Sequence, residues 1–219
     1  MNDTHPPYPA PDGGGQPPAA GPAPSPSGRP AVPSAPAPRG RARRLAAAVG
    51  GRWPTYLGVA IAVVSTEEDP SNAAMIAFLA ALTYLATAVA GRPLAVWPIL
   101  VALLLLARGA EFLGVDHLWV TGPLAVAVAV AGLINGRLLE PGLYRWQLPQ
   151  MAAVAAVVLA AEYAGLSFAG YLVAAVLLGH AAWDVVHWRA DRVVHRPLAE
   201  FCAVLDFLLA VGLVVLLAV

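Results

Sequence analysis

From residue 53 onward the chain is a succession of apolar runs joined by short linkers. A helix needs about 20 residues to cross a hydrocarbon core about 30 Å thick. The runs fall at 53–66, 72–90, 93–112, 118–136, 148–166, 168–188 and 198–219. Lipid offers the backbone no hydrogen-bond partner, so a spanning chain must be helical or a closed barrel. No stretch alternates apolar and polar residues with period two, which speaks against a barrel. The expected fold is therefore all-α, an integral membrane bundle of seven transmembrane helices over 53–219. Composition agrees, with 59% hydrophobic and 12% charged residues. A soluble domain carries about 25% charged residues. Cys202 is the single cysteine, so a disulfide scaffold is excluded.

Residues 1–40 are of a different kind. Thirteen of the 21 prolines lie here, among Gly, Ala and Ser. Such a segment has little to bury, and proline cannot sustain a hydrogen-bonded ladder. The composition predicts a disordered tail, partly polyproline II, acting as a solvated tether. The first arginine is Arg29, so the tail does not read as a secretory signal peptide. Residues 41–52 form a basic juxtamembrane segment. Together with Arg39 it supplies Arg41, Arg43, Arg44 and Arg52. With no nucleic-acid recognition motif beside it, this cluster fits anionic lipid headgroups rather than DNA or RNA.

The arginines also set the expected orientation. With seven spans, Arg92, Arg137, Arg145, Arg189, Arg192 and Arg196 share one side with the basic segment, and only Arg108 falls opposite. The positive-inside rule then puts the N-terminus in the cytoplasm and the C-terminus outside. The first run is short, and a re-entrant segment is the alternative. Removing it would separate the basic segment from the other arginine loops. Glu67, Glu68, Asp69, Glu111 and Asp116 would lie outside. No convincing internal repeat supports an inverted-repeat transporter.

Chemistry concentrates between Gly179 and Asp206. His180, Asp184 and His187 stand at i, i+4 and i+7, on one helical face. Asp191 and His195 would continue the stripe if the helix ran on to Pro197. Spans six and seven fold back on each other, so residues equidistant from the turn share a depth. His180 then levels with Asp206, Asp184 with Cys202, and His187 with Glu200. Trp183 would cover the cluster, while the Glu200 face turns away from Asp206. Ionisable groups at such depth usually face a bundle interior or a wet cavity.

His180, Asp184, His187 and Asp206 are competent ligands for Zn²⁺ or Fe²⁺. A proton relay through the carboxylates is a second reading. The third is a structural polar cluster of His180, Trp183, Asp184, His187, Glu200, Cys202 and Asp206 that ties the last two spans. No other spanning helix carries a histidine, since His5 lies in the tail and His117 outside. The sequence reading therefore settles on the structural tie in a non-enzymatic membrane component. A metal-dependent membrane enzyme acting on a lipid or other apolar substrate, and a proton-coupled transporter, are the alternatives.

An outer rim of Glu67, Glu68, Asp69, Glu111, Asp116, His117 and Glu162 reads as solvated acidic loops, although Glu162 sits inside a span. Cys202 reads as a buried inert thiol. Trp53, Trp97, Trp119, Trp146 and Trp188 lie near span ends, as an aromatic belt requires. No nucleotide-binding or hydrolase motif occurs.

The stretch HAAWDVVHWR, continuing through RVVHRPLAEFCAVLD, resembles a group of polytopic membrane proteins of actinobacterial type that have no assigned activity. The resemblance is strong over the last 40–50 residues or so and elsewhere only a hydropathy pattern. It implies a multi-pass protein of the bacterial plasma membrane. It marks His180, Trp183, Asp184, His187, Arg189, Glu200, Phe201, Cys202 and Asp206 as signature positions. All 13 basic residues being arginine fits a GC-rich genome. Alkaline-ceramidase-like hydrolases and bacterial β-carotene dioxygenases are similar in having intramembrane histidines. Their histidines on earlier helices have no counterpart here.

Overall fold

A computed structural model describes Gly40, Arg44, Ala47 and residues 49–65, 70–163 and 166–218, the side chains of 162–167 excepted. The expected tail and residues Arg39, Arg41, Arg43, Glu67, Glu68 and Asp69 lie outside the described residues, as does the side chain of Glu162. Among the described residues there are seven α-helices and no strand. They are α1 (Trp53–Val64), α2 (Pro70–Ala90), α3 (Val96–Phe112), α4 (Leu118–Ile134), α5 (Leu143–Tyr163), α6 (Leu166–Ala190) and α7 (Arg196–Ala218). Four segments are long and apolar enough to cross a membrane: Pro70–Ala90, Pro93–Phe112, Phe168–Ala190 and Arg196–Ala218. Helices α1 and α4 are apolar but shorter, at 12 and 17 residues.

The middle of the bundle is α2, which packs against α3, α4, α5, α6 and α7. Its sequence explains this position. Alanines at 74, 77, 80, 81 and 88 let neighbours approach on several sides. Its two buried threonines cost little, because each bonds back into its own helix. The Thr83 hydroxyl donates to the Leu79 carbonyl and Thr87 to the Thr83 carbonyl, both at 2.7 Å. The outside of the bundle is apolar: Leu105, Val126, Ile134 and Val215 are all exposed. An oily exterior around a helical core is what lipid, rather than water, stabilises.

Helices α6 and α7 form the most extensive antiparallel pair, and α1 lies along α7. The α6–α7 turn is tight. The condition under which Asp191 and His195 would continue the stripe, a helix running on to Pro197, is not met. Helix α6 stops at Ala190, and Asp191 and Val193 adopt left-handed backbone angles, φ 49° and 72°. The stripe therefore ends at His187: Asp191 is exposed and His195 sits in the turn. Arg196 closes the helix end, its Nε donating to the Trp188 carbonyl at 2.9 Å and its guanidinium lying over the Trp188 ring. A cation at a helix C-terminus satisfies an orphan carbonyl and complements the dipole.

Candidate metal centre

His180 and Asp184 project from α6 one turn apart, and Asp206 meets them from α7. One ligand atom from each of the three lies within 4.8 Å of the others, and all three residues are buried. The His180 Nε2 to Asp184 Oδ1 distance is 3.8 Å. Counting outward from the turn thus brings the right residues to one level. Ligands about 2.1 Å from a tetrahedral ion lie about 3.4 Å apart. The three would need to draw in by roughly an ångström to hold one.

None of the four carboxylate oxygens of Asp184 and Asp206 has a hydrogen-bond partner. The Tyr84 hydroxyl approaches Asp184 from α2 without completing a bond. Burying an ionised carboxylate costs several kcal/mol, roughly, unless a partner compensates it. Two side by side, beside an uncommitted His180 Nε2, make a ligand set that a shared cation would satisfy.

His187 is built differently. Its Nδ1 lies 3.0 Å from the Trp183 carbonyl, which can only accept, so Nδ1 carries the proton. Its Nε2 then accepts from Gln147 Nε2 at 2.8 Å. With both nitrogens engaged, His187 has no lone pair for an ion. The expected four-residue ligand set is therefore three in this geometry. Trp183 and Tyr84 cover the His187 ring edge-on, with centroids 4.8 and 4.9 Å away. Tyr84 also meets the His180 ring at 5.4 Å.

Three participants come from helices outside the expected pair. Gln150 on α5 sets its Nε2 2.7 Å from His180 Nδ1. Gln147, one turn earlier, holds His187, and Tyr84 stands at the centre of α2. A signal existed for the glutamines. They stand three apart, hence on one face, in a largely apolar stretch. Helix α5 begins at Leu143 rather than at the expected 148, which brings Gln147 into it.

The other expected residues separate. Cys202 is buried with a free thiol, one turn before Asp206. Glu200 leaves the cluster: it accepts from Thr55 Oγ1 at 2.6 Å and pairs with Arg52 at 3.2 Å. It therefore fastens α1 to α7 instead of joining the His/Asp group. On the rim, Glu111 pairs with Arg108 at 2.8 Å, and His117 Nδ1 lies 3.6 Å from both Glu111 and Asp116. That surface network is separate from the buried centre.

Two clefts flank the centre. One, of about 190 Å³, lies between α1, α2, α3 and α7, and Cys202 and Asp206 are among its walls. The other, of about 270 Å³, lies between α5 and α6 and is lined by Gln150, His180 and Trp183.

Fold and site together define a helical-bundle membrane protein with a buried His/Asp group able to hold a metal ion. No protein-family profile, curated protein or solved structure matches the chain.

Proposed function

We propose that this chain is a multi-pass plasma-membrane protein whose working centre is a divalent metal site formed by His180, Asp184 and Asp206. The proposed activity is metal-dependent chemistry on a lipid or other apolar substrate. The observation that carries this reading is the pair of buried carboxylates, neither of which completes a hydrogen bond. A cluster serving only to tie α6 to α7 needs bonds between those helices. A half-satisfied polar group is worse for stability than an apolar one. A cation shared by Asp184 and Asp206 resolves the deficit, and His180 supplies the nitrogen ligand that Zn²⁺ or Fe²⁺ favours. When bound, such an ion would polarise a carbonyl or lower the pKa of a bound water. Gln150 would orient the imidazole, and the cleft walls of α5 and α6 would restrict water.

The test is metal analysis of the full chain purified in detergent without chelators. About one Zn or Fe per chain is expected, falling to background in His180→Ala and Asp206→Asn. Protein free of metal in the wild type, even after reconstitution with Zn²⁺ or Fe²⁺, would overturn the reading. It would leave the carboxylates sharing a proton, as a proton-coupled transporter requires.

A further inference from the structure

The cleft between α1, α2, α3 and α7 carries two unlike charged residues in its lining. Its walls are largely apolar, from Ile61, Met75, Leu79, Leu100, Leu104 and Leu205. Asp206, only 1% exposed, is its deep acidic residue. Arg108 is its one basic residue, with a side chain 54% exposed. On α3 the lining runs from Leu100 to Arg108, about 12 Å at 1.5 Å per residue. Its volume of about 190 Å³ exceeds the roughly 150 Å³ that suffices for benzene in an apolar protein cavity. The larger cavity of about 340 Å³ between α2, α4 and α5 contains no charged residue and does not reach the centre.

We propose that this cleft binds a phosphate-headed lipid, its head on Arg108 and its acyl chain running inward past Asp206. The proposal rests on the reading of His180, Asp184 and Asp206 as the working centre, and it names the substrate class. Charge complementarity selects the head. A guanidinium has five N–H donors in a fork that matches phosphate. The Arg108 ion pair engages Nη1 with Glu111, which leaves other donors for a phosphate oxygen. Apolarity selects the chain, because the deep walls offer a polar ligand little besides Asp206. With the head at Arg108, the segment just behind it lies within the stretch of cleft that Asp206 lines.

The experiment uses the full chain in detergent and a lysophosphatidic acid carrying a photoreactive diazirine in its acyl chain. Expected cross-links fall on peptides containing Leu100, Leu104 and Phe201–Leu205. Arg108→Gln is expected to weaken labelling about tenfold. A monoacylglycerol with the same chain should compete poorly. Ala80→Phe, which fills the cleft from α2, should abolish labelling. Leu104→Trp, at a half-exposed position, provides a blocking variant that leaves the core intact. Cross-links confined to other surfaces, or equal labelling in Arg108→Gln and the blocking variants, would overturn the proposal. Metal content measured on the same samples separates the two readings. In the wild type, absent labelling with metal present overturns the lipid site alone, and labelling in the absence of metal overturns the metal centre alone.

Discussion

His180 and His187 are on the same face of the same helix, seven residues apart, yet their chemistry diverges at single hydrogen bonds. His187 is fixed by the Trp183 carbonyl and Gln147, so its tautomer is set and its one lone pair is spent. Among the described residues, His180 has Gln150 as its hydrogen-bond partner, through Nδ1. An amide can present either end. With Oε1 toward Nδ1–H, Gln150 would leave the His180 Nε2 lone pair facing the acids, the arrangement that orients metal-bound imidazoles. Replacing Gln150 by Leu should therefore weaken metal affinity by about 10–100-fold. Gln147→Leu should leave affinity near wild type and lower thermal stability, because it strands the His187 nitrogen. Competition with a chelator and thermal unfolding in detergent measure the two effects. Equal loss of affinity in both variants would show that the glutamines act only through the fold. The histidines and acids were legible because ionisable residues at i, i+4 and i+7 stand out in an apolar run. Tyr84 was not, because periodicity assigns a residue to a face without saying which helix the face meets.

At the scale of helices, the legible part was the hairpin. Equal distances from the α6–α7 turn forecast that His180 and Asp206 would meet. The same counting paired Glu200 with His187, and there rotation overrode depth. Six residues before Asp206 is about 240° around the helix, so Glu200 points to α1. This contact helps explain how a helix as short as α1 is held. Gly58 completes it: a Cβ there would lie 2.9 Å from the Phe201 carbonyl oxygen and 3.2 Å from Val204. Backbone cannot swing aside. Gly58→Ala should cost about 1–3 kcal/mol and loosen α1 from α7. Gly170 is the control. Its Cβ would come within 2.6 Å of the Leu217 side chain, a flexible neighbour that can turn away. Gly170→Ala also gains about 1 kcal/mol of helix propensity, so near-neutral stability is expected. Thermal unfolding of the two variants in one detergent decides this, and a Gly170→Ala penalty equal to that of Gly58→Ala would refute the distinction.

For the whole molecule, the open question at the sequence level was whether the first apolar run crosses the membrane or turns back. At about 18 Å, α1 falls short of the hydrocarbon thickness, so length alone favours a re-entrant segment. Contacts between helix ends argue the other way. Trp53 at the start of α1 meets Trp97 at the start of α3, with ring centroids 5.8 Å apart. Arg52, just before α1, pairs with Glu200 near the start of α7. Gly91 at the end of α2 lies against the Arg137 guanidinium beyond α4, and Gln147 near the start of α5 bonds His187 near the end of α6. One end of the bundle thus collects the starts of α1, α3, α5 and α7 and the ends of α2, α4 and α6. That is strict up–down alternation, and that end carries Arg52, Arg92, Arg137, Arg189, Arg192 and Arg196. A re-entrant α1 would put Arg52 and Glu200 on opposite faces, where they could not touch. The positive-inside rule expects the arginine-rich end to face inward, and if all seven helices cross, the end of α7 is then expected on the outer side. Alkaline phosphatase, which matures only outside the cytoplasm, should be active when fused after Val219 and inactive when fused after Arg137. A fluorescent reporter that folds only in the cytoplasm should give the opposite pattern at the same two joints. If Val219 and Arg137 both read as cytoplasmic, one of α5, α6 and α7 does not cross; if the same reporters fused before Met1 read outside while Arg137 reads cytoplasmic, α1 does not cross, and the Arg52–Glu200 pair cannot exist in the membrane.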